Sequence, residues 1–299
     1  MLAERINDMK FLKAHVVVLV SAIAAAVLLW GCSREPVERV EWPVMGTIAA
    51  VQVRGGSAGY GLPISTYRKS AGGAFAEVER LLNAHDAESE ISRLAPLDEE
   101  EILVKCDPRM KPCYEAAFKL MRASGGAFNP RWKGPGTLDL GAIAKGFAVD
   151  LAAESIYVDG NDVLLDLGGN LKALEGEGGS HKPWKTGVKD PDGGGFAAVA
   201  DLREGEALAT SATYYRGSHI YDGRTGRPVS NDVASVTVLC RSAMWADGLS
   251  TVLFILGPGE GRRFVDETMP RLPVEGGVSV LWLLSDGSRV AVDADGRFR

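Results

Sequence analysis

A glycine turn between an apolar run and a helix-like segment is the sequence feature that most constrains this fold. Residues 137–150 read TLDLGAIAKGFAVD, where the apolar run ends at Gly141 and a helical pattern follows. A strand that ends at glycine and passes into a helix leaves backbone N–H groups without partners, so such a turn attracts phosphate. Asp139 and Lys145 flank the turn. The segment indicates a nucleotide pyrophosphate site, while a purely structural strand, turn and helix is the alternative.

The N-terminal residues have the layout of an export signal. Basic residues precede an uncharged apolar run over residues 16–30, which is short for a transmembrane helix. The run leads into LLWGC, so a small residue precedes Cys32, as in a bacterial lipobox. We therefore expect residues 1–31 to be a lipoprotein signal peptide, Cys32 to carry the lipid, and residues 32–41 to form a tether.

An uncleaved anchor helix is the alternative to cleavage before Cys32. Both interpretations hold the body of the protein at a membrane, because both leave an apolar group attached to the chain. The sequence therefore predicts a protein of the bacterial cell envelope, membrane-attached through its lipid anchor, with its body on the extracytoplasmic, periplasmic side.

The composition is that of an ordinary globular protein with an acidic balance. Hydrophobic residues make up 46% and charged residues 24% of the chain, and the formal net charge is −6. Such a charge does not favour nucleic acid as a partner. Cys106 and Cys113, in CDPRMKPC, are spaced to allow a small disulfide loop and match no zinc pattern. Cys240, in SVTVLC, is expected to be a buried strand residue.

Strand-like and helix-like segments alternate irregularly along residues 42–299, without internal repeats. Strands are expected at residues 44–53, 163–167, 184–188 and 235–240, with a terminal hairpin at residues 278–292. Helices are expected at residues 74–83, 112–123 and 244–256, and the glycine-rich residues 55–73 are expected to form a loop. This order predicts an α+β fold, a mixed β-sheet core with covering helices, rather than a repeated doubly wound pattern.

The helix expected at residues 244–256 carries an acidic residue within an apolar segment. Asp247 and Thr251 are four residues apart, so a carboxylate and a hydroxyl lie one turn apart on the same face. An unpaired charge is costly to bury. Asp247 therefore either caps the start of the helix or interacts with the helix dipole, or it belongs to a hard-cation site. Mg²⁺ takes oxygen ligands and keeps waters and phosphate oxygens in its shell.

Several short motifs, all in the right order, resemble the ApbE family of FAD:protein FMN transferases. In chain order they are MGT at residues 45–47, GGAFNP at 125–130, LDLGAIAKGFAVD at 138–150, DLGGN at 166–170, DP at 190–191, ATS at 209–211, HI at 219–220 and ADGLST at 246–251. The resemblance runs from about residue 42 to the C-terminus. Asn129 stands where the family motif has aspartate, and Ala212 where it usually has glycine.

The resemblance implies an ApbE-like fold for residues 42–299 and a Mg²⁺-dependent reaction. In that reaction FMN is transferred from FAD to the hydroxyl of a threonine or serine in a partner protein, and AMP is released. The implied Mg²⁺ ligands are Asp247, Thr251 and the backbone carbonyl of Ala142. Asp247 is also the first candidate for the catalytic base, with His219 as the competing candidate. The implied partner is an extracytoplasmic redox protein.

The resemblance also implies a set of residues that contact FAD. These are Met45, Ala127, Phe128, Asn129, Asp139, Lys145 and Ile220. The apolar members of the set are equally suited to core packing. Asp139 is expected to accept a hydrogen bond from the nucleotide, and Lys145 to pair with a phosphate or with Asp139. Two alternative functions stay open, an FAD pyrophosphatase that yields FMN and AMP and a non-catalytic flavin-binding lipoprotein.

Overall fold

The computed structural model describes residues 36–55, 61–191, 193–213, 220–293 and 295–299. Apart from Pro36 these residues belong to one unit, Val37–Arg299. The expected signal peptide, Cys32 and His219 lie outside the described residues. Within the described ranges, no helix is both long enough and apolar enough to cross a membrane.

The chain forms strands and helices in an irregular order. The described strands are β1 (Val37–Val44), β2 (Thr47–Gly55), β3 (Asn161–Leu167), β4 (Asn170–Glu175), β5 (Trp184–Lys189), β6 (Phe196–Leu202), β7 (Ala207–Ala212), β8 (Tyr221–Asp222), β9 (Arg227–Pro228), β10 (Val233–Cys240), β11 (Ser279–Leu284) and β12 (Arg289–Val292). The described α-helices are α1 (Ile64–Leu82), α2 (Glu90–Leu94), α3 (Glu99–Lys105), α4 (Lys111–Ala123), α5 (Ala144–Ser155) and α6 (Ala243–Arg263). A π-helical turn (Phe264–Thr268) and a 3-10 turn (Met269–Arg271) follow α6.

An eight-stranded sheet lies at the centre, in the order β1-β2-β3-β4-β7-β10-β11-β12. Every described pair of neighbours in this sheet is antiparallel. Helices α1 to α5 all enter between the neighbouring strands β2 and β3, as one long insertion. The predicted α+β class is confirmed, and the sheet at its core is antiparallel wherever the structure describes its pairing.

Both faces of the middle of the sheet are buried, because each is covered by a different layer. Successive residues of β10 show this: Val238 belongs to the main core beneath the helices, whereas Leu239 belongs to a second core. The second core lies under the hairpin of β5 and β6 and includes Trp184 and Phe298. Strand β10 is consequently buried at every residue, as expected for a strand covered on both sides.

Strand β1 corrects the expectation that residues 32–41 are a tether, since residues 37–41 pair with β2. It is one of the two edge strands of the sheet, and residues 37–39 are exposed. Apolar alternation begins only at Val40 and continues through Trp42 and Val44, which pack against the main core. The exposed start of the strand therefore gave no signal of a half-buried strand. Met45 and Gly46 form the two-residue turn to β2 with φ of 51° and 65°, the left-handed geometry that tight hairpins favour.

Helix α1 begins at Ile64, inside the segment of residues 55–73 that was expected to be a loop. That expectation is wrong for the described residues from Ile64 onwards. Gly72 and Gly73 each lower helix propensity by about 1 kcal/mol relative to alanine. The helix nevertheless buries Tyr67 and Phe75 completely or nearly so, and burying a large side chain stabilises by roughly 1.5–3 kcal/mol. Tertiary burial therefore outweighs local propensity.

The other expected elements from residue 112 onwards are confirmed with small shifts in their ends, except for the last helix and the strand before Gly141. The helix expected to end at residue 256 is interrupted by a kink at Gly257, where φ is 68°, and continues to Arg263. Residues 137–140 have no regular structure. The Asp139 N–H donates to the Pro130 carbonyl at 2.8 Å, and the Arg131 guanidinium donates to the Thr137 carbonyl at 2.9 Å. These backbone groups bond to a neighbouring loop, so they do not join a sheet.

The described cysteines are free thiols. Cys106 and Cys113 do not form the disulfide that their spacing allows, and both are buried. Burial, and after it the charge of Asp247, raises the pKa of the Cys113 thiol. Cys240 is buried in β10 as expected, and burial raises the pKa of its thiol to about 12. Neither thiol is poised to act as a nucleophile at neutral pH.

Candidate functional site

Asp247 lies where the first turn of α5 packs against α6. The Gly146 N–H donates to Asp247 Oδ2 at 2.9 Å, and Lys145 Nζ lies 3.6 Å from the same oxygen. The Asp247 side chain is only 8% exposed, so its charge depends on such partners. We call Lys145, Gly146, Asp247 and Thr251 the helix junction.

The close approach of the two helices requires a glycine at position 146. A Cβ atom there would lie 2.1 Å from the Ala243 carbonyl oxygen and 2.7 Å from Asp247 Cβ. Neither contact is sterically possible without moving the backbone. Gly146 is thus the residue that lets the α5 backbone reach the buried carboxylate. Sequence reasoning placed the functional glycine at Gly141 and missed Gly146, although both stand in the same motif.

Asp150, one turn further along α5, fixes the start of α6. Its carboxylate accepts hydrogen bonds from Ser242 Oγ at 2.6 Å, Ala243 N–H at 3.0 Å, Met244 N–H at 2.9 Å and Lys172 Nζ at 2.7 Å. The first N–H groups of a helix have no partner within the helix, and their dipoles favour an anion. Asp150 therefore holds in place the helix that carries Asp247. The sequence signal for it was its position at the end of the LDLGAIAKGFAVD motif.

The cap of α6 excludes one interpretation of Asp247. Ser242 is the N-cap residue, and its Oγ accepts from the Trp245 N–H at 3.2 Å. The Asp247 carboxylate instead accepts from α5, 101 positions away in the sequence. Asp247 is therefore not the cap of its own helix.

Three hydroxyl groups connect α6 to β7 beside Asp247. Ser211 Oγ lies 2.8 Å from Ser250 Oγ and 3.2 Å from Thr251 Oγ1. Ser250 Oγ in turn donates to the backbone carbonyl of Asp247 at 2.8 Å. Asp247 and Thr251 lie on one helix as expected, and Ser211 from the sheet contacts the Thr251 hydroxyl. From the sequence, Ser211 was only a member of the ATS motif, and its contact with α6 was not predicted.

The turn of residues 141–143 leads into α5 as expected, but several of its backbone N–H groups already have partners. The Gly141 N–H donates to Asp139 Oδ1 at 2.9 Å. The N–H groups of Ile143 and Ala144 both donate to the Leu140 carbonyl, at 2.9 and 2.8 Å. These three groups do not face a phosphate in this structure. The cations beside the turn are the ammonium groups of nearby lysines.

Lysine side chains flank the turn on both sides. Lys145 Nζ donates to the Gly141 carbonyl at 3.2 Å and lies beside Asp247. Asp139 Oδ2 pairs instead with Lys133 Nζ at 3.0 Å. The expected pairing of Lys145 with Asp139 is therefore wrong, and the pairing of Lys145 with a phosphate stays a prediction. Ala142, whose carbonyl was the expected third ligand, lies half-buried at the centre of the turn.

Three of the apolar residues that were expected to contact FAD are core residues. Ala127, Phe128 and Ile220 are 0%, 3% and 8% exposed and belong to the main core. Core packing, the alternative that the sequence left open, describes their side chains. Their contact with FAD stays a prediction.

Met45 and Asn129 occupy turns at the surface of the same region. Met45 is half-buried in the β1–β2 turn, and its N–H donates to Glu79 Oε1 at 2.9 Å. Asn129 Oδ1 accepts from the Arg131 N–H at 2.8 Å. That bond gives the half-buried Asn129 a structural role in the loop before Asp139, and its contact with FAD stays a prediction.

Two aromatic side chains that sequence reasoning missed stack next to this loop. The rings of Trp132 and Tyr221 have centroids 4.1 Å apart and planes inclined by 20°, and both residues are half-buried. Lys133 Nζ, which pairs with Asp139, lies 4.9 Å from the Trp132 ring centroid. We call Trp132 and Tyr221 the aromatic platform. Trp132 lies two residues after the GGAFNP motif and Tyr221 lies directly after HI, and these positions were the available signal.

A backbone contact brings the two motifs of the aromatic platform together. The Gly223 N–H donates to the Ala127 carbonyl at 2.9 Å. A Cβ atom at Gly223 would lie 2.3 Å from Asn129 Cβ, so only glycine fits this approach. The hairpin of β8 and β9 thus rests on the loop that leads through Asp139 to the helix junction.

The oxygen atoms of the helix junction fit a hard cation. No described residue donates a hydrogen bond to Asp247 Oδ1, which leaves one carboxylate oxygen for a ligand. The described residues contain no group of three His, Cys, Asp or Glu side chains able to hold a metal. A cation here would therefore take hydroxyl and carbonyl oxygens beside the single carboxylate, and water or phosphate oxygens for the rest of its shell.

Solved structures of flavin transferases share this fold. The flavin transferase ApbE from Vibrio cholerae superposes with a TM-score of 0.66 at 23% identity, over 86% of this chain and 97% of that chain. The apo form of the Pseudomonas stutzeri flavinyl transferase ApbE superposes with a TM-score of 0.67 at 21% identity, over 86% of this chain and 94% of that chain. At these identities the likeness shows the fold.

Relatives named FAD:protein FMN transferase match parts of the sequence. The relative from Rhodobacter capsulatus is 39% identical over 161 residues, which are 50% of this chain and 29% of that protein. The relative from Vibrio cholerae is 37% identical over 134 residues, which are 42% of this chain and 40% of that protein. The chain thus spans less than half the length of these relatives.

The family model described as the ApbE family matches residues 45–136 and 131–274. These ranges include β2, all six α-helices, the helix junction and the aromatic platform. They cover more than half of the sequence. The match agrees with the fold of the solved flavin transferases and with the motifs around Gly146 and Asp247. This chain belongs to the ApbE family.

Proposed function

We propose that this protein transfers FMN from FAD to the hydroxyl of a threonine or serine in a partner protein, with Mg²⁺, and releases AMP. The name shared by the matched relatives, FAD:protein FMN transferase, supports the transferase activity. The observation that carries the proposal is the buried Asp247 carboxylate. One of its oxygens is held by the Gly146 N–H, and a lysine ammonium lies beside it.

The reaction forms one P–O bond and breaks another. The acceptor oxygen attacks the phosphorus of the FMN half of FAD, and the bond from that phosphorus to the bridging oxygen breaks. AMP leaves with the bridging oxygen, and the hydroxyl proton passes to a base. A bound Mg²⁺ would neutralise charge on the pyrophosphate. Asp247, Thr251 and the Ala142 carbonyl would hold the ion.

The remaining residues would position the substrate. Lys145 and Lys133 place two ammonium groups beside the turn that leads into α5, where they would attract the pyrophosphate. The aromatic platform offers a flat surface to one of the two ring systems of FAD. Asp247 is the described candidate for the base. His219 is the competing candidate and lies outside the described residues.

The partner and the location follow from the resemblance and from the N-terminal sequence. A lipid on Cys32, after cleavage of residues 1–31, would hold the enzyme at a membrane of the bacterial envelope. Its substrate would then be a redox protein exposed on the same extracytoplasmic side. Mass spectrometry of the membrane fraction tests the anchor, because a diacylated N-terminal cysteine has a defined mass.

The reaction is tested by incubating residues 33–299 with FAD, Mg²⁺ and a candidate acceptor protein. We expect AMP release together with a covalent flavin on a threonine or serine of the acceptor. Asp247→Asn and Thr251→Val are expected to abolish both products. AMP with free FMN and no covalent flavin would replace the transferase by an FAD pyrophosphatase. FAD binding without any AMP would instead indicate a flavin-binding protein.

A further inference from the structure

The hydroxyl groups that join β7 to α6 form a chain with only one possible direction. It ends at the backbone carbonyl of Asp247, which can only accept a hydrogen bond. Ser250 Oγ lies 2.8 Å from that carbonyl oxygen and must be the donor. The single proton of Ser250 is therefore used, and its Oγ can only accept from any further hydroxyl.

This direction propagates to Thr251. Ser211 Oγ, 2.8 Å from Ser250 Oγ, must donate to it, which uses the one proton of Ser211. Thr251 Oγ1, 3.2 Å from Ser211 Oγ, must then donate to Ser211. The Thr251 proton thus points towards the sheet, and both lone pairs of Oγ1 point elsewhere. An oxygen in this state can serve as a ligand to a cation without losing a hydrogen bond.

Local helix chemistry alone would not keep Thr251 in this state. A threonine in a helix commonly donates to the carbonyl four residues before it. For Thr251 that carbonyl belongs to Asp247. One of its two lone pairs takes the helix hydrogen bond from the Thr251 N–H, and the other accepts from Ser250. Ser250 is completely buried, so this contact is protected from water. The serine next to Thr251 therefore occupies the competing acceptor.

Ser211 can direct the Thr251 proton because the sheet fixes its position. It pairs with Val236 of β10 in the register of the central sheet, and β10 is buried throughout. The neighbouring Thr210 lies on the opposite face of β7 and bonds Thr237 Oγ1 at 2.9 Å. Only the Ser211 side of the strand reaches α6.

We propose that Ser211 and Ser250 are positioning residues that keep the lone pairs of Thr251 Oγ1 directed at the cation site. This proposal rests on the metal site of the proposed function and adds two residues to it. Ser211 acts through Thr251, so removing its hydroxyl should weaken cation binding only where Thr251 retains its own. A purely structural serine would show no such dependence.

The test measures the dissociation constant of Mn²⁺, used as a paramagnetic probe for the Mg²⁺ site, by electron paramagnetic resonance, with and without ADP. We expect Ser211→Ala to weaken Mn²⁺ binding about 5-fold to 10-fold, as expected for the loss of about one hydrogen bond. In a Thr251→Val background the same substitution should change the constant less than about 2-fold. Ser211→Thr, which keeps a hydroxyl, should restore binding.

Thr210→Val is the matched control, because it removes a hydroxyl from the same strand without touching the chain of hydroxyl groups. It should leave the Mn²⁺ constant unchanged. If Ser211→Ala changes the Mn²⁺ dissociation constant equally with and without the Thr251 hydroxyl, the proposed role of Ser211 is wrong, although the metal site itself is not. If the wild-type protein does not bind Mn²⁺, both the role of Ser211 and the metal site are wrong. Transferase activity is then tested independently by AMP release and covalent flavin on the acceptor.

Discussion

The helix junction and the aromatic platform lie on the two sides of one turn but are built in opposite ways. At the helix junction a buried carboxylate is held by the backbone of a second helix, through Gly146. At the aromatic platform two half-buried rings stack on each other, one from a loop and one from the short strand β8. The first region is part of the core, and the second rests on it.

This difference separates what holds the fold together from what selects a ligand. Substitutions in the helix junction should damage stability and metal binding together, because the same contacts support both. Substitutions in the aromatic platform should change affinity for FAD with little effect on stability, since loops tolerate change better than packed helices. Single substitutions in the two regions should therefore differ in size and in the quantity that they change.

Gly146→Ala should have the largest effect. The new Cβ would meet the Ala243 carbonyl at 2.1 Å, so α5 and α6 must separate. Overpacking of this kind destabilises by about 3 kcal/mol. The free energy of unfolding from urea titration measures the loss, and Mn²⁺ binding should disappear in the same variant.

Gly259→Ala is the control for this substitution, because it makes the same change in α6 with nothing within 4 Å of the new Cβ. It should change stability by less than about 1 kcal/mol, and in the stabilising direction. Equal losses in the two variants would show that helix propensity, and not the approach of the two helices, sets the cost.

Asp150→Ala should have the second largest effect. It leaves the first N–H groups of α6 and the Lys172 ammonium without their shared acceptor. Losing hydrogen bonds to a charged group costs about 2–3 kcal/mol. The exposed Glu154, on the same helix, provides the control, since Glu154→Ala should cost less than about 0.5 kcal/mol. A matching loss in both variants would remove Asp150 from the support of the helix junction.

Trp132→Leu tests the other region. It removes the ring that stacks on Tyr221 at 4.1 Å and that would stack on a ring system of FAD, and each aromatic stack contributes about 0.5–1.5 kcal/mol. We expect the KM for FAD to rise by up to roughly 10-fold, with kcat nearly unchanged. The free energy of unfolding should fall by no more than about 1.5 kcal/mol, less than for the substitutions in the helix junction. Tyr157→Leu, at an aromatic residue that is 74% exposed, should leave all three quantities unchanged. A fall in kcat with an unchanged KM would contradict a binding role for the platform.

The sequence predicted the local half of the site better than the long-range half. The spacing of Asp247 and Thr251 is a property of one helix, so periodicity was enough to place them together. The contacts of Gly146 and Asp150 with α6 bridge about a hundred residues, and no local pattern encodes them. Trp132 and Tyr221 meet only because two separate motifs fold onto each other.

The wrongly expected elements have the same physical cause, because their structure depends on partners that are distant in the sequence. Glycines at the middle of α1 hid a helix whose stability comes from buried side chains such as Tyr67 and Phe75. The exposed first residues of β1 hid a strand that exists through pairing with β2. The apolar residues before Gly141 suggested a strand, yet the backbone there bonds to Pro130 and Arg131. In each case a tertiary partner decided what local preference left open.

The smallest expected effect concerns pH and the hairpin beneath the aromatic platform. Hydrogen bonds from the Arg224 side chain lower the pKa of Asp222 below its ordinary value. Arg224 Nη2 donates to Asp222 Oδ2 at 2.7 Å. A carboxylate with a lowered pKa in the folded state stabilises the fold above its unfolded pKa of about 3.9. That contribution is lost as the pH falls through the lower folded pKa. Because the Arg224 side chain is 40% exposed, solvent screens the pair and its contribution stays below about 1 kcal/mol.

Asp222→Asn should therefore reduce the free energy of unfolding slightly at pH 6, and the difference from wild type should shrink as the pH falls below about 4. The emission of Trp132 should follow the same pH dependence, since Tyr221 in the stack precedes Asp222. In an Arg224→Gln background the effect of Asp222→Asn at pH 6 should be smaller, because only the backbone N–H of residue 224 then donates to the carboxylate. A pH-dependent change in Mn²⁺ binding at the helix junction that disappears in Asp222→Asn would break the comparison, because the two regions would then be energetically coupled.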